Sequence, residues 1–137
     1  FENAIVGADR ALIVVNPELT SVRDADRVIG KLDAKELTKH ELIVNRMNYE
    51  MAKSGNMLDV SDIVDNLAIK LIGIVPDDKN ITISTNKGEP IVLKESSMSG
   101  QAFMDIAKRI TGEEVPFMAP KNSTGFASLF KKLFRKN

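Results

Sequence analysis

The stretch ALIVVNPE at residues 11–18 decides the fold class of this chain. It is a short run of apolar, mostly β-branched residues that ends in an Asn-Pro pair, which is typical of a strand buried on both faces. Two later runs have the same character: ELIVN at residues 41–45 and IKLIGIVP at residues 69–76, where proline ends the strand. We therefore expect three strands that lie side by side in a parallel sheet.

Amphipathic segments alternate with these strands, and each predicts a helix. The first spans residues 20–34, with Thr20 or Ser21 as its N-cap, and the second spans residues 61–67, with Ser61 as its N-cap. The third spans residues 100–112, and four of its residues are expected to face the core: Phe103, Ile106, Ala107 and Ile110. This alternation predicts an α/β fold of three layers, with a mostly parallel sheet between helices on both faces.

The charges divide the chain into two parts of opposite sign. Residues 1–120 carry 14 basic and 19 acidic side chains, whereas residues 121–137 carry five basic side chains and no acidic one. The acidic part is a poor candidate for binding nucleic acid through its phosphates. An acidic body with a basic tail indicates two tasks in two places. The chain has no cysteine, which excludes disulfides, thiolate metal sites and cysteine nucleophiles.

The tail GFASLFKKLF at residues 125–134 predicts an amphipathic helix. Its apolar residues recur at helical spacing and form one stripe: Phe126, Leu129, Phe130, Leu133 and Phe134. Lys131 and Lys132 lie on the remaining face or flank the stripe. This composition is typical of a helix that lies in a membrane interface against anionic headgroups. The alternatives are a last helix packed on the body and a helix in a partner's groove.

The chain is thus divided into a body at residues 1–114, a linker at residues 115–124 and a membrane-binding helix at residues 125–137.

The tail is expected to bind a membrane with little net free energy. Burial of one Phe or Leu contributes at most roughly 1.5–3 kcal/mol, and each basic residue near an anionic surface adds roughly 1 kcal/mol. Ordering the tail costs roughly 1–2 kcal/mol per residue. One tail should therefore bind marginally, and two tails on one dimer far better.

Polar residues follow each predicted strand at its carboxyl end, where ligands of open parallel sheets bind. They are NPE at residues 16–18, NR at residues 45–46 and VPDD at residues 75–78. Asparagine both donates and accepts hydrogen bonds, as the edge of adenine does, and proline offers an apolar ring to the base. An aspartate can accept from an exocyclic amine or a ribose hydroxyl. The pattern therefore indicates a nucleotide, and ordinary polar turns are the alternative.

Five segments in this order resemble the septum-site-determining branch of the ParA/MinD family of deviant-Walker P-loop ATPases: GADRALIVVNPELTSVRDADRVIGKL, LIVNRMNYEMAKSGNMLDVSDIVDNLAIKLIGIVPDD, STNKGEPIV, GEEVPFM and GFASLFKKLF. The resemblance implies a protein that binds ATP with Mg²⁺, forms a homodimer when ATP is bound, and cycles on and off the cytoplasmic face of the membrane. It also implies docking of a MinC-type division inhibitor and a MinE-type stimulator.

The resemblance assigns roles to individual residues of this chain. It implies that the adenine base lies between two groups of residues: Asn45 and Arg46 on one side, and Pro76, Asp77 and Asp78 on the other. Asp24 and Asp26 match the helix on which the two protein partners are thought to dock, although a solvated acidic helix face is the alternative. The residues from Phe126 to Phe134 match the membrane-targeting helix.

The chain departs from the family pattern in what it lacks. It contains no G-x-x-x-x-G-K-[ST] phosphate loop, and the two switch segments that sense the γ-phosphate and hold magnesium are missing as well. Phe1 is expected to begin in the middle of a helix, so we expect the C-terminal half of the family's domain, with no catalytic residues and no ATP hydrolysis on its own. The competing hypotheses are a non-enzymatic adaptor for a membrane and a protein partner, and a ParA-type DNA-partition ATPase.

The other polar residues give no pattern that predicts catalysis or metal binding. His40 is the only histidine, and we expect it at the surface or at a strand edge and not as a metal ligand. Ser96, Ser97 and Ser99 are expected to form a polar loop, because no histidine and acid lie close enough in sequence to indicate a triad.

Overall fold

The structure is a computed structural model that describes residues 1–94 and 96–118. The predicted membrane-binding helix and most of the predicted linker therefore lie outside the described residues. Among the helices of the described part, none is long and apolar enough to cross a membrane.

Three strands and six α-helices alternate along the described residues. In chain order they are α1 (Glu2–Ile5), β1 (Ala11–Val15), α2 (Leu19–Asp33), β2 (His40–Met47), α3 (Tyr49–Lys53), α4 (Val60–Leu67), β3 (Lys70–Pro76), α5 (Lys79–Asn86) and α6 (Met98–Ile110), with a 3₁₀ turn at Ile91–Leu93 between the last two. The strands form one parallel sheet in the order β1-β2-β3. The predicted α/β fold with a parallel sheet is therefore confirmed.

Helices cover both faces of the sheet. On the first face, α2 and α4 pack against the strands and bury residues such as Val22, Leu42 and Ile63. On the second face, α6 packs mainly against β3, with Ile72 and Ile106 in a smaller apolar cluster. These are the three layers that the alternation of strands and helices predicts.

The strand β1 is buried on one face only, so the prediction of burial on both faces is wrong for the described residues. Ile13 and Val15 face the core below α2, whereas Leu12 and Val14 are 40% and 58% exposed. The reason is that α6 lies over β3 and β2, where Ile43 is buried, and leaves β1 uncovered.

Two helices begin differently from the prediction. The N-cap of α2 is Glu18, which makes no side-chain cap hydrogen bond, while the Ser21 hydroxyl accepts from the Asn16 backbone N–H at 3.1 Å. The N-cap of α4 is Asp59 and not Ser61, because an Asp59 oxygen accepts from the Val60 N–H at 2.7 Å.

The helix α6 is rotated relative to the prediction. Ile106 is buried and Ile110 is partly buried, as expected, but Phe103 and Ala107 are exposed. Ala102 takes the inward position, and Asp105, the only acidic residue that is buried within the described part of the chain, also faces inward. The helix begins two residues earlier than predicted, which moves its N-cap to Ser97.

Candidate functional site

The carboxyl ends of β2 and β3 meet at a β-bulge. Val44 pairs with Ile74 and Met47 pairs with Pro76, so β2 has one residue more than β3 between these two pairs. Within that interval Arg46 has a φ of 57°, in the left-handed region. A bulge re-aims side chains, and such a φ costs a non-glycine residue on the order of 1–3 kcal/mol. Both features mark this edge of the sheet as the candidate site.

The bulge brings together predicted site residues that follow two different strands. Arg46 Nε lies 3.6 Å from Asp77 Oδ1, and the Asp77 backbone N–H donates to the Met47 carbonyl at 2.9 Å. The two charged side chains are 67% and 48% exposed, so the ion pair itself contributes little stability. Asn45 is partly buried next to Arg46. The edge therefore offers an amide, a guanidinium and a carboxylate that a ligand can reach.

Asp78 is engaged by the protein itself. One of its oxygens, Oδ1, accepts from the backbone N–H and from the side-chain amide of Asn80, both at 2.8 Å. The other, Oδ2, accepts from the Ser99 hydroxyl at 2.6 Å. The hydrogen bond from Ser99 contributes most to holding the pKa of Asp78 below its usual range, and the hydrogen bonds from Asn80 and the charge of Lys94 add to it. Asp78 thus caps α5 and ties it to α6.

The serines around the start of α6 have structural partners, so the prediction of a simple polar loop is wrong for two of them. Ser97 is the N-cap of α6, and its hydroxyl accepts from the Gly100 N–H at 3.0 Å. Ser99 is fully buried, and its hydroxyl lies 2.9 Å from that of Ser97. Ser96 is exposed, as expected. A serine just before an amphipathic run is an N-cap signal, which could have identified Ser97.

Pro76 lines a small, mainly apolar cavity of about 40 Å³. The other residues that line it are Tyr49, Ile74, Met98, Ala102, Asp105, Arg109, Phe117 and Met118. Burial raises the pKa of the Tyr49 hydroxyl to about 12, with a smaller contribution from the charge of Asp59. Sites for small molecules usually measure roughly 300–1,000 Å³, so this partly open cavity is too small to enclose a nucleotide.

Residues 115–118, here named the strap, contribute Phe117 and Met118 to the wall of this cavity. Arg109 Nε donates to the Val115 carbonyl at 2.9 Å, and Arg109 Nη2 donates to the Pro116 carbonyl at 3.0 Å. A third donor, Nη1, binds the Ile72 carbonyl of β3 at 2.9 Å, and the guanidinium lies 4.0 Å from the centre of the Phe117 ring. The predicted linker therefore begins with residues that are attached to the body.

The end of β1 forms a turn of its own. The Asn16 backbone N–H is bound by Ser21, the buried Pro17 accepts from the Leu58 N–H at 3.3 Å through its carbonyl, and Glu18 begins α2. The NPE segment is therefore a polar turn that connects β1 to α2.

The remaining predicted residues fall on α2 and in the tail. Asp24 and Asp26 are exposed on α2, where Asp24 Oδ1 lies 3.6 Å from Arg27 Nη1. The predicted membrane contacts lie outside the described residues: Phe126, Leu129, Phe130, Lys131, Lys132, Leu133 and Phe134.

His40 is the first residue of β2, one of the two positions predicted for it, but its side chain is turned into the protein. Its side chain is 5% exposed, with Nε2 lying 2.6 Å from the Leu37 carbonyl and 3.4 Å from Asp33 Oδ1. Within residues 1–94 and 96–118, no group of three or more His, Asp or Glu side chains is placed to hold a metal ion.

The fold and this edge define an α/β protein of the class that binds ligands beyond the carboxyl ends of parallel strands. No protein-family model matches the chain. The septum site-determining protein MinD of Synechocystis is 53% identical to it over 119 residues, which are 86% of this chain and 45% of that protein. The chain is therefore a homologue of MinD, and it spans about half the length of the curated relatives it matches.

Solved structures agree with this relationship. The MinC:MinD cell division protein complex of Aquifex aeolicus contains a chain that is 50% identical, with a TM-score of 0.84 over 87% of this chain and 49% of that one. MinD of Pyrococcus horikoshii, complexed with Mg-ADP, is 26% identical, with a TM-score of 0.69 over 81% of this chain and 44% of that one. The fold is accordingly that of a P-loop ATPase.

Proposed function

We propose that this chain is the C-terminal half of a MinD-type, ATP-dependent regulator of division-septum placement that cycles on and off the membrane. In this proposal the chain supplies base recognition, partner docking and the membrane anchor. The observation that carries it is the meeting of Arg46 and Asp77 at the bulged edge of a chain homologous to MinD. A relative of this fold was solved with Mg-ADP, which supports a nucleotide as the ligand.

Each residue of the edge has a part in holding the base. The amide of Asn45 donates to and accepts from the base, and the ring of Pro76 supplies an apolar surface for it to lie against. Asp77 accepts from the exocyclic amine or from a ribose hydroxyl. Arg46 is charge-paired with Asp77 and so keeps this carboxylate oriented in the absence of ligand.

The phosphates and the magnesium ion require groups that this chain does not contain. It has no glycine-rich phosphate loop with a lysine, so nothing in it matches the usual cradle for phosphates. We therefore expect no ATP hydrolysis by this chain alone. In the intact protein, Mg²⁺ would neutralise charge that develops on the transferred phosphoryl group.

Equilibrium binding of ATP tests the proposal. The measurement is made on this chain and on the chain extended by its upstream coding sequence, with Arg46→Ala and Asp77→Asn variants of each. We expect binding in the extended chain and at least a tenfold loss in both variants. Arg10→Ala is the matched control, because Arg10 forms a 3.3 Å ion pair with Glu41 near the start of β2, at the other end of that strand from Arg46. Equal affinity in all three variants would contradict base recognition at this edge.

The exposed face of α2 is proposed as the docking surface for a MinC-type inhibitor and a MinE-type stimulator. A MinD relative was solved in complex with MinC, and Asp24 and Asp26 lie exposed on α2. Asp24→Lys and Asp26→Lys should weaken capture of both partners by more than tenfold, because each reverses a charge on this face. Asp65→Lys, on the exposed side of α4, is the control and should leave capture unchanged.

A non-enzymatic adaptor is the competing function. It requires that neither this chain nor the extended chain binds ATP while partner capture persists. A ParA-type partition ATPase would instead bind DNA with strong salt dependence. The ATP-binding measurement and a DNA-binding titration at two salt concentrations separate the three functions.

A further inference from the structure

A chain of hydrogen bonds fixes the loop at residues 76–78. The contacts proposed between this loop and the base do not involve these hydrogen bonds. Asp78 Oδ1 caps α5 through Asn80, and Asp78 Oδ2 accepts from Ser99 at 2.6 Å. Ser99 lies next to Ser97, which caps α6. One carboxylate therefore joins the first turns of two helices at the end of β3.

Ser99 is suited to this role by its burial. It is fully buried, so its hydroxyl has little access to water, and the Asp78 oxygen is a charged acceptor for its proton. Hydrogen bonds to charged groups contribute more than neutral ones, and a buried group left without its partner is costly. The Ser99–Asp78 contact should thus persist in solution.

The consequence concerns the neighbours of Asp78 in the chain. Pro76 and Asp77 directly precede it, and the Asp77 backbone is also bound to Met47 on β2. The loop is therefore held on one side by the sheet and on the other by α6. With both Asp78 oxygens occupied, the carboxylate that is left for a ligand is that of Asp77, which is 48% exposed.

We propose that Ser99 is a positioning residue for nucleotide-base recognition, acting through Asp78 on the loop at residues 76–78. Asp78 on this view does not touch the base. It holds Pro76 and Asp77 in the geometry in which they contact a purine that carries an exocyclic amine. The inference rests on the proposed function and deepens it.

Three single variants test this inference. Ser99→Ala removes the hydroxyl that binds Asp78. Ser97→Ala removes the α6 cap and the contact between the two serine hydroxyls, but it keeps the Ser99 hydroxyl that donates to Asp78. Asp78→Asn keeps an acceptor oxygen for the α5 cap but cannot accept with both of its terminal atoms. Thermal unfolding of each variant reports stability, and ATP and GTP affinities of the extended chain report base recognition.

We expect Ser99→Ala and Asp78→Asn each to weaken ATP binding about fivefold to tenfold and to narrow the preference for ATP over GTP. The double variant should be no weaker than either single one, since both remove the same contact. Ser97→Ala should lower thermal stability and leave the ATP preference unchanged. A loss of stability in Ser99→Ala without any change in the ATP preference would make its role structural only and overturn the inference.

A titration provides a readout that a general loss of stability would not move. NMR of the Asp78 carboxyl carbon in this chain should show titration at a higher pH in Ser99→Ala than in the parent, because the Ser99 hydrogen bond is lost. The variant keeps Lys94, whose charge still lowers the pKa of Asp78 in both chains. An unchanged Asp78 titration would overturn the inference and leave the proposed function intact. Absence of ATP binding by the unmutated extended chain would overturn the proposed function, and the inference with it.

Discussion

At the scale of single residues, Arg109 joins three parts of the molecule. Its guanidinium binds carbonyls of β3 and of the strap and lies over the ring of Phe117, while its own backbone belongs to α6. Its fixed fork of five N–H donors reaches all three carbonyls while the plane lies over the ring, and the single ammonium of lysine cannot reproduce this full set of contacts. Together with the packing of Phe117 on the first apolar cluster, this side chain holds the strap on the body.

Arg109→Ala should release the strap. It removes three hydrogen bonds of about 0.5–1.5 kcal/mol each and a cation–π contact of about 0.5–2 kcal/mol, so we expect a loss of about 2–6 kcal/mol in the free energy of unfolding. Arg109→Lys keeps the charge and should lose about half of that. Chemical denaturation measures the loss, and amide exchange at residues 115–118 should become faster. The control Arg27→Ala breaks only an exposed ion pair and should change neither quantity.

The Tyr49 hydroxyl makes stability depend on pH in alkaline solution. Its pKa is raised from 10.0 to about 12 in the folded chain by burial and by Asp59. The unfolded chain therefore loses this proton first, and stability is unaffected below pH 10 but falls as the pH rises through 12. Two pKa units correspond to about 2.7 kcal/mol, which partial exposure of the ring reduces to roughly 2 kcal/mol.

Phenolate absorbance tests this directly, because Tyr49 is the only tyrosine and the chain has no tryptophan. The folded chain should ionise near pH 12, and the chain in denaturant near pH 10. In Tyr49→Phe the alkaline loss of stability should become smaller by about 2 kcal/mol. Ionisation at the same pH in the folded and denatured chains would contradict the burial of this hydroxyl.

At the scale of elements, Gly73 permits α6 to lie directly on β3. A Cβ atom at this position would overlap Cγ1 and Cδ1 of Ile106, which belongs to the second apolar cluster. The helix that presents Ser99 to Asp78 can therefore approach the strand only because residue 73 lacks a side chain. This close approach sets the position of the whole second layer.

Gly73→Ala should destabilise the chain by about 1–3 kcal/mol through overpacking. Ile106→Ala alone should cost about 2–5 kcal/mol because it leaves a cavity. In the double variant the new methyl group fills part of that cavity, so its loss should be at least 1 kcal/mol smaller than the sum, a coupling of the size that contacting residues show. Gly30→Ala is the control: nothing lies within 4 Å of its added Cβ, and it should stabilise α2 by about 0.5–1 kcal/mol. Additive losses at residues 73 and 106 would contradict the contact.

The elements differ in how far their sequences predict them. The strands are predicted because continuous apolar runs such as ALIVV and LIGIV have few other stable placements. The helix α5 is not predicted, because its sequence KNITISTN is rich in β-branched residues, which disfavour helices. Its formation depends on the N-cap from Asp78. Local periodicity also fails for Phe103, whose exposure depends on how α6 is rotated against a neighbour that lies far away in sequence.

The candidate site is predictable to the same extent. The parallel sheet dictates that Arg46 and Asp77 lie at the same edge, so their meeting follows from the strand pattern. The hydrogen bond from Ser99 to Asp78 joins positions 21 residues apart, so no local sequence pattern predicts it. The same is true of Arg109 and Ile72, which are 37 residues apart. Contacts between side chains of distant elements therefore account for most of what the sequence alone left open.

At the scale of the whole molecule, the separation of charge predicts how the chain meets a membrane. The acidic body is repelled by an anionic surface, whereas the basic tail is attracted to it, so the tail is expected to make the contact alone.

Sedimentation with lipid vesicles tests this prediction. The chain should bind vesicles rich in anionic lipid weakly, because the burial of one amphipathic helix roughly balances the cost of ordering it. Phe130→Glu places a charge in the centre of the apolar stripe and should abolish binding, as should high salt or a neutral lipid. Leu93→Glu is the matched control, since Leu93 is 74% exposed on the body, and it should bind as the parent does. Joining two tails in one molecule should raise the affinity by at least tenfold through effective concentration. If Phe130→Glu and Leu93→Glu were to sediment equally well, the tail would not be the anchor, and its apolar stripe would instead have to pack on the body or in the groove of a partner protein.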